Sequence, residues 1–173
     1  IYGCLVGSEM CIRDRSSFDA KAAKIATILE EHGLKSDSKV GIYLHNSNEY
    51  LEAQYGVFKI EGVPINVNYR YKENELIYLL DNADAEAVFF QGCYADRIKA
   101  IKDQLPKIKV YIQVDDGTEP LMQGAIDFEN SISSAKEQKR FNRTEENIYM
   151  LYTGGTTGTV SYTHLTLPTM AIV

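Results

Sequence analysis

Lys39-Val40-Gly41-Ile42-Tyr43-Leu44-His45-Asn46-Ser47-Asn48-Glu49-Tyr50 is the stretch from which the fold of this chain can be read. Val40-Gly41-Ile42-Tyr43-Leu44 is a short, unbroken apolar run, the pattern of a strand covered on both faces. Asn46 or Ser47 then offers the side-chain oxygen that caps a helix. Leu51, Tyr55 and Phe58 recur at helical spacing and are expected on its inner face, with Gly62 beyond its end. A second strand follows over residues 63–67, where Pro64 favours a place near the strand's start or at an edge.

The alternation extends in both directions. Upstream, Ile25, Ile28, Leu29 and His32 at i, i+3, i+4 and i+7 predict a helix over 18–32, capped by Ser16 or Ser17 and closed by Gly33. Downstream, Leu76, Leu79, Leu80 and Ala83 predict a helix starting near Lys72, and residues 87–90 a strand. Tyr94, Ile98, Ile101 and Leu105 line a fourth helix that Pro106 closes. Residues 110–114 read as a strand and Asp115-Asp116-Gly117 as a turn. Residues 121–134 are weakly helical, and 136–147 form a solvated connection into a last strand, Ile148-Tyr149-Met150-Leu151. Short strands alternating with helices predict an α/β fold, a mostly parallel sheet with helices on both faces.

Composition narrows the function classes. The chain has 173 residues, 45% apolar and 24% charged, the proportions of a globular protein. A net charge of −6 argues against nucleic acid or an anionic membrane as the main partner. No apolar run approaches the roughly 20 residues of a membrane span. Cys4, Cys11 and Cys93 are an odd, widely spaced set that suggests neither a disulfide framework nor a zinc site, so a cytoplasmic setting is expected. His32 and His45 read as turn or core-edge residues, and Cys93 has no basic neighbour to activate it. Asp81, Asp84 and Glu86 read as a solvated helix end. No residue is assigned as catalytic or as a metal ligand.

The two termini are related through the genetic code. Glu9-Met10-Cys11-Ile12-Arg13-Asp14, written as GAG ATG TGT ATA AGA GAC, reverse-complements to a string that translates as Val160-Ser161-Tyr162-Thr163-His164-Leu165. Such inverted ends resemble the translated adapters of transposase-based sequencing libraries. Residues 1–15 and 159–173 are therefore expected to be non-native tails around a partial domain at 16–158.

The last strand empties into Tyr152-Thr153-Gly154-Gly155-Thr156-Thr157-Gly158, small and hydroxyl-bearing residues whose backbone N–H groups suit a phosphate. A Walker A loop needs wider glycine spacing and a following lysine, and a dinucleotide fingerprint belongs after a first strand. A flexible turn without a ligand is the plain alternative. The heptapeptide closely resembles the phosphate signature of adenylate-forming (AMP-binding) enzymes, which continues with any residue and then Pro-Lys-Gly. Here Thr159 is followed by Val160-Ser161-Tyr162, so the likeness stops at Gly158.

The likeness also covers Lys39 through Tyr50 and Leu79-Leu80-Asp81-Asn82-Ala83-Asp84-Ala85. Gly62-Val63-Pro64-Ile65-Asn66-Val67-Asn68-Tyr69-Arg70-Tyr71 is more similar to the acyl-CoA synthetase branch. The resemblance implies the N-terminal portion of a ligase that activates a carboxylic acid with ATP and Mg2+, then transfers it to CoA. It implies that Thr153, Gly154, Gly155, Thr156, Thr157 and Gly158 contact the β- and γ-phosphates of ATP. It also implies that the fragment alone is inactive, because the later catalytic groups are missing. A non-catalytic nucleotide-binding module and an interaction domain with a bare turn stay open.

Overall fold

A computed structural model describes residues 8–137, 147–153 and 161–166. Seven strands form one sheet in the order β5-β4-β3-β1-β2-β6-β7. They are β1 (Lys39–Tyr43), β2 (Val63–Asn66), β3 (Ala85–Gln91), β4 (Val110–Val114), β5 (Ala125–Asp127), β6 (Ile148–Thr153) and β7 (Ser161–Thr166). The first six are mutually parallel, and β7 runs antiparallel to β6. The helices are α1 (Ser8–Glu31), α2 (Asn48–Lys59), α3 (Glu73–Asn82), α4 (Ala95–Ile101) and α5 (Phe128–Ser134). The expected α/β architecture is present.

Strand alternation divides the core into two halves. Val40, Ile42, Ala87, Phe89, Val110 and Ile112 point to one face, against α1, α2 and α5. Tyr43, Ile65, Val88, Phe90 and Tyr111 point to the other, against α3 and α4. Because both faces are covered, these strands read as continuous apolar runs rather than alternating ones. Pro64 is the second residue of β2, in the sheet's interior. Val63 and Val67 donate toward β1, so by alternation Pro64's missing N–H falls on the β6 side. Pairing with β6 begins only at Ile65, and no ladder bond is lost.

Helix ends follow local chemistry. Ser47 is the cap of α2, its Oγ accepting from Tyr50 N at 3.3 Å. Gly33 closes α1 in the left-handed region, φ 78°, and Leu34 N donates back to Leu29 O at 3.0 Å. After α2 the left-handed residue is Glu61, φ 56°, and not Gly62. Gly62 is small for a different reason: a Cβ there would lie 2.9 Å from Val57 and 3.0 Å from Ser38 O.

Three expectations are corrected. Helix α1 passes through Ser16 and Ser17 and starts at Ser8, so neither serine is its cap. On α2, Leu51 and Tyr55 face solvent, while Glu52, Ala53, Gly56 and Val57 are buried. Ala53, Gly56, Val57 and Ile60 form a second i, i+3, i+4, i+7 stripe, and its small residues let α2 lie close to α1. Glu52 is buried with it and paired to Lys21 Nζ at 3.2 Å. Residues 121–134 are not one weak helix but β5 followed by α5. Buried Gln113 holds the approach to β5, donating to Pro120 O at 3.1 Å and accepting from Met122 N at 2.8 Å. Gly124, φ 85°, then turns the chain into register with β4.

The α1–α2 contact gives a sign-reversing test. Gly to Ala inside an exposed helix adds roughly 0.5–1 kcal/mol of stability. At Gly56 the added Cβ would strike the Ile25 side chain and reach Ala22 O at 3.2 Å. We expect Gly56→Ala to destabilise the fold by about 1–3 kcal/mol, read as a lower urea midpoint at unchanged m-value.

Candidate functional site

All six parallel strands end on one edge of the sheet, and ligands of open α/β sheets bind outside that carboxyl edge. From β1 the chain goes first to β2 on one side and then, by way of α3, to β3 on the other. The strand order therefore reverses at β1. The loops after β1, β2 and β3 meet at this edge.

Of the residues singled out for phosphate, Thr153 closes β6 on the carboxyl edge, its main chain opposite Ser161. Gly154, Gly155, Thr156, Thr157 and Gly158 lie outside the described residues. They follow Thr153 in sequence, and the strand that Thr153 ends stands beside β2 with its end at the carboxyl edge of the sheet.

Side chains from both faces hold that root. On one face the Tyr50 hydroxyl of α2 donates to Asn66 Oδ1 of β2 at 3.0 Å and lies 2.9 Å from the Tyr149 hydroxyl of β6. A phenol carries one proton, so with Tyr50 donating to Asn66, Tyr149 donates to Tyr50. Burial, reinforced by the Tyr149 hydroxyl, holds Tyr50 far above the ordinary phenol range. Burial likewise raises Tyr149, outweighing its hydrogen bond with Tyr50, which lowers it. On the other face Tyr152 donates to Asn82 Oδ1, at the end of α3, at 2.9 Å.

A second polar group stands where the strand order reverses. The Tyr43 hydroxyl is 2.8 Å from Tyr71 O and 3.2 Å from Tyr69 O, and accepts from Arg97 Nη1 at 2.7 Å. Arg97 also donates to Tyr71 O at 3.1 Å. These bonds tie the loop after β2 to β1 and α4. His45 Nε2 is 2.7 Å from the Tyr94 hydroxyl, with its ring between those of Tyr69 and Tyr94. Burial, aided by the neighbouring Cys93 and Tyr43, pushes Tyr94 up to about 12. In the sequence Tyr43 reads as part of a strand and Tyr94 as a residue lining a helix. Only the structure shows that they and Arg97 share one edge.

The remaining candidates have ordinary roles. His32 is exposed, its Nδ1 2.8 Å from Ile28 O one turn back. Lys107 Nζ meets Asp81 at 3.0 Å and Asp84 at 2.8 Å, and Lys109 Nζ meets Glu86 at 2.5 Å. Lysines therefore satisfy the acidic cluster. Among the described residues no group of three His, Cys, Asp or Glu side chains is placed to hold a cation.

Cys93 is exposed, and burial of its thiol together with Asp116 raises its pKa. That is the opposite of an activated nucleophile. We expect its alkylation by iodoacetamide to need higher pH than a free cysteine. Asp116→Asn should move that pH profile down, with peptide mapping separating Cys93 from Cys4 and Cys11.

Comparison with known proteins agrees with this geometry. The family described as AMP-binding enzyme matches residues 15–166. The chain is 39% identical over 146 residues to the 3-oxocholest-4-en-26-oate–CoA ligase of Rhodococcus rhodochrous, covering 83% of this chain and 26% of that protein. It is 37% identical over 143 residues to a medium/long-chain-fatty-acid–CoA/3-oxocholest-4-en-26-oate–CoA ligase of Mycolicibacterium smegmatis, covering 81% of this chain and 26% of that protein. The chain thus spans about a quarter of the length of these curated relatives. Its fold superposes on the crystal structure of the anthranilate CoA ligase AuaEII in complex with anthranoyl-AMP with a TM-score of 0.78. That match has 21% identity and covers 85% of this chain and 28% of the other.

Proposed function

This chain belongs to the AMP-binding enzyme family, and we propose that it is the N-terminal part of an ATP-dependent acyl-CoA synthetase. The observation that carries the reading is the position of Thr153, which roots a glycine-threonine loop at the carboxyl edge of a parallel sheet. In the reaction of the whole enzyme, a substrate carboxylate oxygen attacks the α-phosphorus of ATP, forming an acyl-adenylate and releasing pyrophosphate. The CoA thiol then attacks the acyl carbon, forming the thioester and releasing AMP.

The loop's part is to hold the departing phosphates. Thr153, Thr156 and Thr157 offer hydroxyl donors, and Gly154, Gly155 and Gly158 let the main chain come close to the β- and γ-phosphates. The donor chemistry fits a polyphosphate. The described residues do not form a cation site, so no step is drawn through Mg2+ on this chain, and none of them is assigned to CoA. Relatives named for cholestenoate and fatty acids support an apolar carboxylic acid as substrate. No described helix is long and apolar enough to cross a membrane, which supports a cytoplasmic setting as part of the proposal.

Two measurements test the reading. Adding ATP or inorganic triphosphate should shift the amide resonances of Gly154, Gly155 and Gly158, and unchanged resonances would overturn the phosphate assignment. The 173-residue chain should give no ATP–pyrophosphate exchange above a heat-treated control, because Val160-Ser161-Tyr162 stand where the family continues Pro-Lys-Gly. Measurable exchange refutes that expectation. Binding without exchange, in a protein whose reading frame lacks the rest of the enzyme, would instead favour the non-catalytic nucleotide module.

A further inference from the structure

Strand β6 is attached to the parallel sheet by a very short ladder. Among the described residues Ile65↔Met150 and Asn66↔Leu151 pair it with β2, whereas five residue pairs join β3 to β4. Beyond Leu151 the described pairing of β6 is with β7 alone, so no backbone pair ties Thr153 to the parallel part of the sheet. Side chains supply what the ladder lacks. Tyr149 and Tyr152 project to opposite faces, as strand alternation requires. Tyr149 meets Tyr50 of α2, and Tyr152 meets Asn82 of α3. The strand is braced by one helix on each side of the sheet.

We infer that Tyr50 and Asn82 are positioning residues for ATP: through the hydroxyls of Tyr149 and Tyr152 they fix where β6 delivers Thr153 at the carboxyl edge. This rests on the phosphate reading proposed above. Neither residue touches the ligand. Tyr50 is itself oriented by Asn66, the β2 residue that pairs with Leu151, so helix, neighbouring strand and loop-bearing strand are locked by one chain of hydrogen bonds. Asn82 acts only as an acceptor toward Tyr152, and it closes α3 at a helix C-terminus.

That difference makes a rescue possible. Asn82→Leu removes the acceptor. Asn82→Asp keeps an acceptor oxygen but places a negative charge at a helix C-terminus, which weakens the helix slightly. A purely structural Asn82 would make both variants less stable and leave ligand affinity unchanged in whatever fraction is folded.

The experiment is a titration of the 173-residue chain with inorganic triphosphate, followed through the amide of Thr153, with hydrogen exchange of Leu151 measured beforehand. Tyr50→Phe and Asn82→Leu should each weaken triphosphate affinity roughly three- to tenfold, the size of one lost hydrogen bond. Both should also speed exchange at Leu151. Asn82→Asp should bind like the unaltered chain despite its lower melting temperature. Lys21→Met, which strips buried Glu52 of its partner on the α1 side of α2, should lose stability without losing affinity. If Tyr50→Phe fails to fold, Tyr149→Phe cuts the same bond from the other side. Equal affinities in all folded variants would overturn the positioning role and leave the phosphate reading intact. Absence of triphosphate binding in the unaltered chain would overturn both.

Discussion

Strand β1 is paired on both sides by strands that follow it in the chain, β2 on one edge and β3 on the other. The structure depends on that double pairing. Its backbone groups are satisfied in both directions, and Val40, Ile42 and Tyr43 are completely buried. Each buried side chain of this size adds roughly 1.5–3 kcal/mol. Gly41 lets α3 settle onto the middle of the strand, because a Cβ there would come 2.8 Å from the Leu80 side chain. Pairing on both edges also sends the chain to opposite sides of β1, and that reversal produces the crowded carboxyl edge.

The strands and most helices were legible because burial on both faces leaves a plain signal, a short apolar run between turn residues. Errors arose where side-chain size and burial part company. On α2 the largest residues, Leu51 and Tyr55, marked the solvent side, while Ala53, Gly56 and Val57 marked the buried one. Two stripes of helical spacing overlap there, and only the closeness of α1 chooses between them. Strand β5 has three residues, too few to carry a period, and takes its register from β4. The left-handed turn at Glu61 was hidden because the adjacent Gly62 offered a more obvious candidate.

The proposed site is only partly legible in the sequence. Hydroxyls and glycines in one heptapeptide carry the phosphate proposal through residue type alone, which a sequence displays directly. The bracing groups announce nothing, since Tyr50, Asn66, Asn82, Tyr149 and Tyr152 come from four separate elements. Their meaning lies in register, which sets Asn66 beside Leu151 and so brings Tyr149 within reach of Tyr50. Similarly, Tyr43, Tyr94 and Arg97 become one polar group only when β1 and β3 are neighbours. Tyrosine is ambiguous in sequence because its ring belongs to the core and its hydroxyl to the edge.

The placement of β6 has a kinetic side. Strands β1 to β5 pair with partners close by in sequence, each linked through a single crossover or at most two. Strand β6 returns from the far end of the described chain to pair with β2. Closing so long a loop costs entropy that its short ladder repays poorly. The sheet from β5 to β2 can therefore consolidate while β6 is still searching for its place. Strand β6, the base of the proposed phosphate loop, is then expected to dock last, which would make the proposed nucleotide site a late product of folding.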